Sequence, residues 1–336
     1  MTTNGIFTEL LISQKGGKKL IFWTVLKIET MQFGKVETVE GIDLSLPSDH
    51  SETLKILALK PAIKNLKIAV GCAKWNKTDL KNFYPKGVKD ELTYYSSQFN
   101  SIELNATFYQ AYGPDQFEKW YEKTPKGFQF FPKIPQTISH LKRLNDVKLL
   151  AEEFCNSAAH LQEKLGMIFL QLHDNFKPKD FDRLEKFVKE FPKGIPLAVE
   201  LRNTEWVTNK VEADRVCELF KKYKVTNIIV DTAGRRDLIH MRLTTPTAFV
   251  RYVGANHPTD YTRLDPWVKR IVKWHKAGLK ELYFFIHQNH EVESPLLSAY
   301  FIKELNAALK TDLHIPDKPP AAPAKKTAAK KQTKLF

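Results

Sequence analysis

Eight apolar runs along the chain each close on a polar or charged residue. They cover residues 68–74, 102–105, 128–133, 167–173, 197–202, 227–231, 249–251 and 282–289, ending on Lys74, Asn105, Lys133, His173, Arg202, Asp231, Arg251 and Asn289. The intervening stretches are long enough for helices, so the order is strand and helix repeated, the pattern of an α/β protein built as a (β/α)8 TIM-like barrel. Helices are predicted at 89–98, 115–122, 147–165, 179–191, 211–223, 266–276 and 295–310. Pro114-Asp115, Asp265-Pro266 and Ser294-Pro295 supply start signals, because proline suits the first helical turn and a short polar side chain caps it.

Alternation within the runs gives direction. Glu103 shares a face with Asn105 and Thr107, Gln171 with His173, Glu200 with Arg202, and His287 with Asn289. The residues between them, Ile102, Leu104, Leu170, Leu172, Leu201 and Ile286, are apolar and suit the face that helices cover. The polar set is therefore expected to point inward near the carboxyl ends of the strands, where barrel enzymes build their sites.

With 336 residues and 43% hydrophobic content, the chain reads as one catalytic domain with tails. The barrel is assigned to 67–312. An irregular lead-in at 31–66 is expected to brace its bottom. Residues 1–30 bear no clear relation to the barrel and Met31 opens a better-patterned segment, which marks 1–30 as a dispensable extension or the product of an upstream start codon. Residues 313–336 form a Lys/Ala/Pro tail, too poor in apolar residues to build a core and expected to be disordered. Two long connections, 232–247 with Gly234-Arg235-Arg236 and 254–264 with His257, Tyr261 and Arg263, are expected to lie over the polar ring.

Three cysteines, odd in number, far apart and without CxxC spacing, point to a reducing, cytoplasmic compartment. Cys155 and Cys217 read as helix fillers, and Cys72 at a strand end reads as core. No apolar stretch is long enough to span a bilayer, and the short one at 20–26 runs into Lys27 and Glu29 with no cleavage site. The net charge of +14 is spread unevenly. The tail from 317 holds six lysines against one aspartate and the first thirty residues hold four lysines against two glutamates, which leaves +7 on the body. Such an excess suits an anionic partner, nucleic acid ahead of membrane, although solubility alone accounts for it as well.

The candidate acids are Glu103, Glu200 and Asp231. Crowded carboxylates can hold a divalent cation or divide acid and base duties; the structural alternative is an ion network with Lys74, Lys133, Arg202 and Arg251. His173 and His287, with Glu200 and Asp231, would make a mixed nitrogen and oxygen metal site suited to zinc, manganese or iron. No HExxH spacing is present, and a histidine at a strand end is otherwise a packing residue. Lys74, Lys133, Arg202, Arg235, Arg236 and Arg251 could receive phosphate, with Asn105 and Asn289 as further substrate contacts. Trp75, Phe108, Tyr109, Trp206 and Tyr252 could stack on a base or sugar, or simply belong to the core. Neither a glycine-rich phosphate loop nor a nucleophile elbow occurs, so Ser139-His140 is assigned to the loop after the third strand.

The motifs Val70-Gly-Cys-Ala-Lys-Trp75, Phe83-Tyr-Pro85, Phe99-Asn-Ser-Ile-Glu-Leu-Asn-Ala-Thr-Phe-Tyr109, Gly127-Phe-Gln-Phe running to Lys133, and Ala198-Val-Glu-Leu-Arg202 occur in order. Over 66–309 the chain resembles the YecE-like family, DUF72. That resemblance implies a TIM-barrel-like fold with a cleft at the strand carboxyl ends and implies no particular reaction. The terminal QTKLF is similar to the Gln-x-x-Leu-Phe peptide by which bacterial repair proteins bind the sliding clamp, with Gln332, Leu335 and Phe336 as the contacting residues.

The sequence thus suggests a protein acting on a phosphate-containing substrate, nucleic acid by preference, in genome maintenance. Phosphoester hydrolysis is the most concrete reaction, with Glu103, Lys133, Glu200 and Asp231 as catalytic candidates and a divalent metal as the cofactor they would suit. Rival readings are a sugar or small-phosphate isomerase or lyase and a non-catalytic nucleic-acid or clamp adaptor.

Overall fold

Every one of the eight apolar runs forms a parallel strand, yet they do not share one ladder. The computed structural model describes residues 34–59 and 65–317, together with the backbone of two strands, β1 (Leu10–Lys15) and β2 (Lys18–Trp23), which pair antiparallel with each other. The runs appear as β3 (Lys67–Cys72), β4 (Ser101–Leu104), β5 (Gln129–Pro132), β6 (Ile168–Gln171), β7 (Leu197–Glu200), β8 (Thr226–Thr232), β9 (Thr247–Gly254) and β10 (Glu281–Gln288). Six of them form a parallel sheet in the order β3-β10-β9-β8-β7-β6, and β4 and β5 form a separate parallel pair. The result is an α/β fold whose parallel sheet makes a half-barrel in a TIM-like arrangement.

Side chains and isolated bridges, rather than ladders, join the two parts. Between β3 and β4, Asn100 Nδ2 donates to Ile68 O at 2.8 Å while Asn100 Oδ1 accepts from Val70 N at 2.9 Å. The Tyr95 hydroxyl donates to Ser101 O at 3.0 Å and accepts from Cys72 N at 2.7 Å, so backbone groups that a ladder would use are satisfied by side chains. The two strands come so close here that a Cβ on Gly71 would lie 2.1 Å from Ser101 O, which leaves glycine as the residue that fits. Between β5 and β6, single bridges pair Phe130 with Leu165 and Lys133 with Phe169.

Alternation divides the apolar residues into two cores. Phe131, Phe169, Ala198, Ile228, Phe249, Tyr283 and Phe285 pack inside the strands, with the Phe131 ring 4.6 Å from Tyr283 and 4.8 Å from Phe285, so β5 faces β10 across the interior. Ile102, Leu104, Leu170, Val199, Ile229, Val250 and Ile286 face the helices instead.

The helices are α1 (Ser51–Ala58), α2 (Glu91–Gln98), α3 (Ala106–Tyr109), α4 (Pro114–Glu122), α5 (Lys148–Ala158), α6 (Phe181–Glu190), α7 (Glu205–Thr208), α8 (Lys210–Tyr223), α9 (Thr259–Ala277) and α10 (Ser294–Leu309). Helices α1, α3 and α7 are additional to those the sequence predicts, and α9 starts elsewhere than expected. The lead-in, expected to be irregular, contains α1, capped by the His50 side chain. It enters beside the strand ends, where Gly34 O accepts from Thr232 Oγ1 at 2.8 Å, and Asp49 then accepts from Arg270 at 2.6 Å and Trp274 at 3.0 Å on α9. Helix α9 begins at Thr259 rather than at Pro266, which lies inside it. Its first turns bury Asp260, Arg263 and Leu264, so much of the connection expected over the mouth is helix with an inward face. No helix among the described residues is long and apolar enough to cross a membrane. Gln332, Leu335 and Phe336 lie outside the described residues.

Candidate functional site

Above the inner apolar core, the same inward columns of the strands carry a layer of charge. Glu103 follows Ser101 on β4, Gln171 follows Phe169 on β6, Glu200 follows Ala198 on β7, Arg251 follows Phe249 on β9, and His287 follows Phe285 on β10. Just beyond β5, Lys133 continues the column of Phe131. Glu103 and Glu200 are fully buried, and Lys133 and Arg251 are each 6% exposed.

Arg251 is the hub. Its Nε and Nη2 atoms donate to the two oxygens of Glu103 at 2.8 Å each, a forked pair, and its Nη1 donates to Glu200 Oε2. Glu200 Oε1 accepts from Arg202 Nε at 2.7 Å and from Gln171 Nε2 at 3.0 Å. Gln171 Oε1 in turn accepts from Lys133 Nζ at 2.8 Å. The His287 Nε2 atom is 3.1 Å from Glu103 Oε2, and Asn105 Nδ2 donates to Glu103 Oε1 at 2.8 Å. One continuous network therefore runs from β4 through β9 and β7 to β5.

The electrostatics follow. Burial alone would raise Glu103, but Arg251 and His287 hold it well below the usual carboxylate range. Burial likewise opposes ionisation of Glu200, and Arg251 with Arg202 brings it down to about 2. Both acids are thus carboxylates at neutral pH, acceptors rather than proton donors. Lys133 moves the other way. Burial, then the positive charge of Arg251 and Arg202, pushes its pKa well below lysine's ordinary value, outweighing Glu200 and Glu103.

A second ring of groups stands beside Lys133. The Phe108 ring lies 4.0 Å beneath Nζ. His140, carried by a π-helical turn at Thr137–Leu141, packs on Phe108 at 4.9 Å and on His173 at 5.1 Å between ring centres. Its Nδ1 is 2.8 Å from Ser139 Oγ. Burial, followed by Lys133, His173 and Arg202, takes the His140 pKa down to about 4. Sequence reasoning had set His140 aside as a loop residue, and only its place in a π-turn, a conformation that recurs at functional sites, marks it. Gln171 was placed on the inward face by alternation without being chosen as a site residue.

Several expected site residues lie elsewhere. Asp231 occupies the outward column of β8 with Ile229, because Ile228, Val230 and Thr232 take the inward one. Its carboxylate accepts from Arg236 Nη1, from Arg263 Nη2 at 2.8 Å and from Trp267 Nε1 at 2.7 Å, all on the helix side. Arg236 is also spent on the carbonyls of Asp43, at 3.1 Å, and Ser45, at 2.7 Å, where it fastens the lead-in. The set His173, Glu200, Asp231 and His287 is therefore not assembled: Asp231 faces away, Glu200 is taken up by two arginines, and His287 pairs with Glu103. Among the described residues no group of three or more His, Cys, Asp or Glu is disposed to hold a metal ion.

The rim accounts for the rest. Lys74 pairs with Asp79 at 3.3 Å, and Trp75 packs edge-on against Trp120 at 6.1 Å. Tyr109 is exposed. Arg235 bonds Asp237 at 3.0 Å and reaches Arg202 O at 3.5 Å, which sets it beside the mouth. Asn289 donates its backbone N–H to Gly254 O at 3.1 Å. Trp206 and Tyr252 are core: the indole donates to Phe176 O at 2.8 Å and the phenol to Asp260 O at 2.8 Å. All three cysteines are buried and free, and burial raises the thiols of Cys155 and Cys217 to about 12 and about 11.

Known proteins share this architecture. The structure of a DUF72 family protein from Enterococcus faecalis V583 superposes with a TM-score of 0.60 at 19% identity, covering 75% of this chain and 99% of that one. The UPF0759 protein YecE of Escherichia coli K12 is 26% identical over 264 residues, 72% of this chain and 94% of its own length. The UPF0759 protein YunF of Bacillus subtilis 168 is 29% identical over 149 residues, 41% of this chain and 52% of its own. Residues 69–324, which carry the whole charged layer, match the family described as protein of unknown function DUF72, and the chain belongs to that family.

Proposed function

We propose that the chain is an enzyme that draws a small phosphate-bearing substrate into the mouth of the parallel strands and isomerises or cleaves it without hydrolysing the phosphoester. The observation that carries this reading is the composition of the buried layer. Arg251, Arg202 and the Lys133 amine converge on Glu103 and Glu200, and both carboxylates are already committed to arginine. Such a layer, with its carboxylates held by arginine and its amine uncommitted, suits an added anion, and among the described residues no cluster of metal ligands stands ready for metal-assisted phosphoester hydrolysis. Arg202 and Arg235 at the rim supply the charge for the phosphate, and the layer beneath faces the reacting carbons.

The reading treats the eight strands as one functional ring, closed by side chains where the ladder is interrupted. Support comes from the Arg251 fork, which links β9 directly to Glu103 on β4. With its cysteines reduced, the protein would work in the cytoplasm.

A ligand that binds the folded state raises its melting temperature. Phosphorylated trioses and pentoses should do so, their unphosphorylated counterparts should not, and Arg202→Ala should remove the effect. If no phosphorylated sugar shifts the transition while single-stranded DNA does at low salt, the nucleic-acid reading prevails. That second reading rests on the +7 of the body and on a lysine-rich tail ending in Gln332, Leu335 and Phe336, which would tether the barrel to a sliding clamp.

A further inference from the structure

Lys133 stands apart from every other cation of the mouth. It sits in a layer with two carboxylates, yet Arg251 takes both, and Nζ donates to the neutral Gln171 Oε1 at 2.8 Å. The amine lies over the face of Phe108 on a residue only 6% exposed, with His140 packed against the same ring. An amine placed for electrostatic duty would be expected to face a carboxylate. This one faces an amide oxygen, an aromatic face and an imidazole held neutral, which is how a lysine is kept available as a nucleophile.

We infer that Lys133 forms a covalent imine with the carbonyl carbon of the phosphate-bearing substrate. This deepens the small-phosphate reading and rests on it for the substrate class. The Nζ lone pair attacks the carbonyl carbon, a C–N bond forms, and a proton passes from nitrogen to the carbonyl oxygen to give a carbinolamine. Loss of that hydroxyl as water gives the C=N bond. The protonated imine withdraws electrons from the adjacent carbon, so an α proton can leave, as in isomerisation, or a Cα–Cβ bond can break, as in a retro-aldol cleavage. His140 is the neighbouring group able to carry the proton. Gln171, held by Glu200 through its Nε2, positions the amine through its Oε1.

The charges facing Lys133 come from three strands, β4, β7 and β9, which makes the amine's state a property of the whole mouth. Arg251 on β9 and Arg202 after β7 disfavour its protonation, while Glu200 on β7 and Glu103 on β4 favour it. Replacing Gln171 by Glu would give the ammonium a carboxylate partner and return it toward its charged form.

Borohydride reduces an imine to a stable secondary amine, which tests the inference on the full chain. The protein is incubated at neutral pH with dihydroxyacetone phosphate, reduced, digested and mapped by mass spectrometry, with binding of the same compound followed by calorimetry. The expected result is a reduced adduct concentrated on Lys133, blocking tryptic cleavage there, with the many surface lysines left nearly unmodified. Gln171→Glu should lower that adduct by about tenfold or more, in proportion to the lost neutral amine. The wild-type map alone suffices to decide, so the test stands even if a Lys133 variant folds poorly. Saturable binding with no adduct on Lys133, or with an adduct no commoner there than on surface lysines, overturns the imine and leaves the phosphate site standing; absence of binding removes both.

Discussion

Two buried ion clusters sit at the carboxyl ends of the strands, one outside the sheet and one inside, and they are built to different ends. In the outer one every charge is paired: Asp231 accepts from Arg236, Arg263 and Trp267, and Arg263 bonds Asp260 as well at 3.2 Å, although Arg263 Nε is buried without an acceptor. It ties β8 to α9 and to the lead-in. The inner one pairs Arg251 with Glu103 and Glu200 but leaves Lys133 with an amide and a ring for neighbours. A charged residue at a strand end is thus not evidence of a site by itself. The face it occupies decides whether it meets helices or the mouth, and a buried amine left without a carboxylate partner marks where a ligand belongs.

The largest expected effect breaks the outer cluster. Asp231→Ala leaves Arg263 buried without its main partner and should cost about 3–5 kcal/mol of stability, read by denaturant unfolding. A loss under about 1 kcal/mol, the range of a surface pair, would show that the cluster is not structural. Next comes the inner apolar plug beneath the charged layer. Phe131→Ala should cost about 3–5 kcal/mol in the same measurement, since its ring packs against Phe249, Tyr283 and Phe285.

Smaller in stability but larger in function is Lys133→Met. Removing a buried amine with one neutral acceptor should change stability by only about 1 kcal/mol, while binding of the phosphate-bearing ketone falls by about tenfold or more. The opposite pattern, lost stability with intact binding, would make Lys133 a structural residue. The acid limb of the pH profile comes last. Glu200 is lowered to about 2 in the folded state from an ordinary 4.5, so its contribution is fully present above that ordinary value and is lost as pH falls through about 2. Glu200→Gln should flatten this acid limb. An unchanged limb would show that other carboxylates set it.

Alternation made much of the inner cluster legible. Glu200, Arg251 and His287 each fall two residues beyond an apolar inward residue and Glu103 two beyond the buried Ser101, so period two alone predicts their convergence. Asp231 was a candidate for closing its run rather than for its face: β8 is apolar on both faces and runs on to Thr232, which leaves Asp231 in the outward column. The metal set failed for the same reason, since it borrowed Asp231. His140 was illegible because a π-turn has no sequence period to betray it. The interruption of the ladder at β4 and β5 was equally hidden. Between β3 and β4 it depends on Asn100 and Tyr95 occupying backbone groups, and neither residue type announces that role.

The most direct test of the account is calorimetric titration of dihydroxyacetone phosphate into the wild-type chain, Lys133→Met and Asp231→Asn, each checked as folded at the temperature used. The account predicts saturable binding to the wild type that inorganic phosphate competes away, nearly the same affinity for Asp231→Asn, and an affinity lower by about tenfold or more for Lys133→Met. Equal affinity for the wild type and Lys133→Met, or a loss confined to Asp231→Asn, would contradict it.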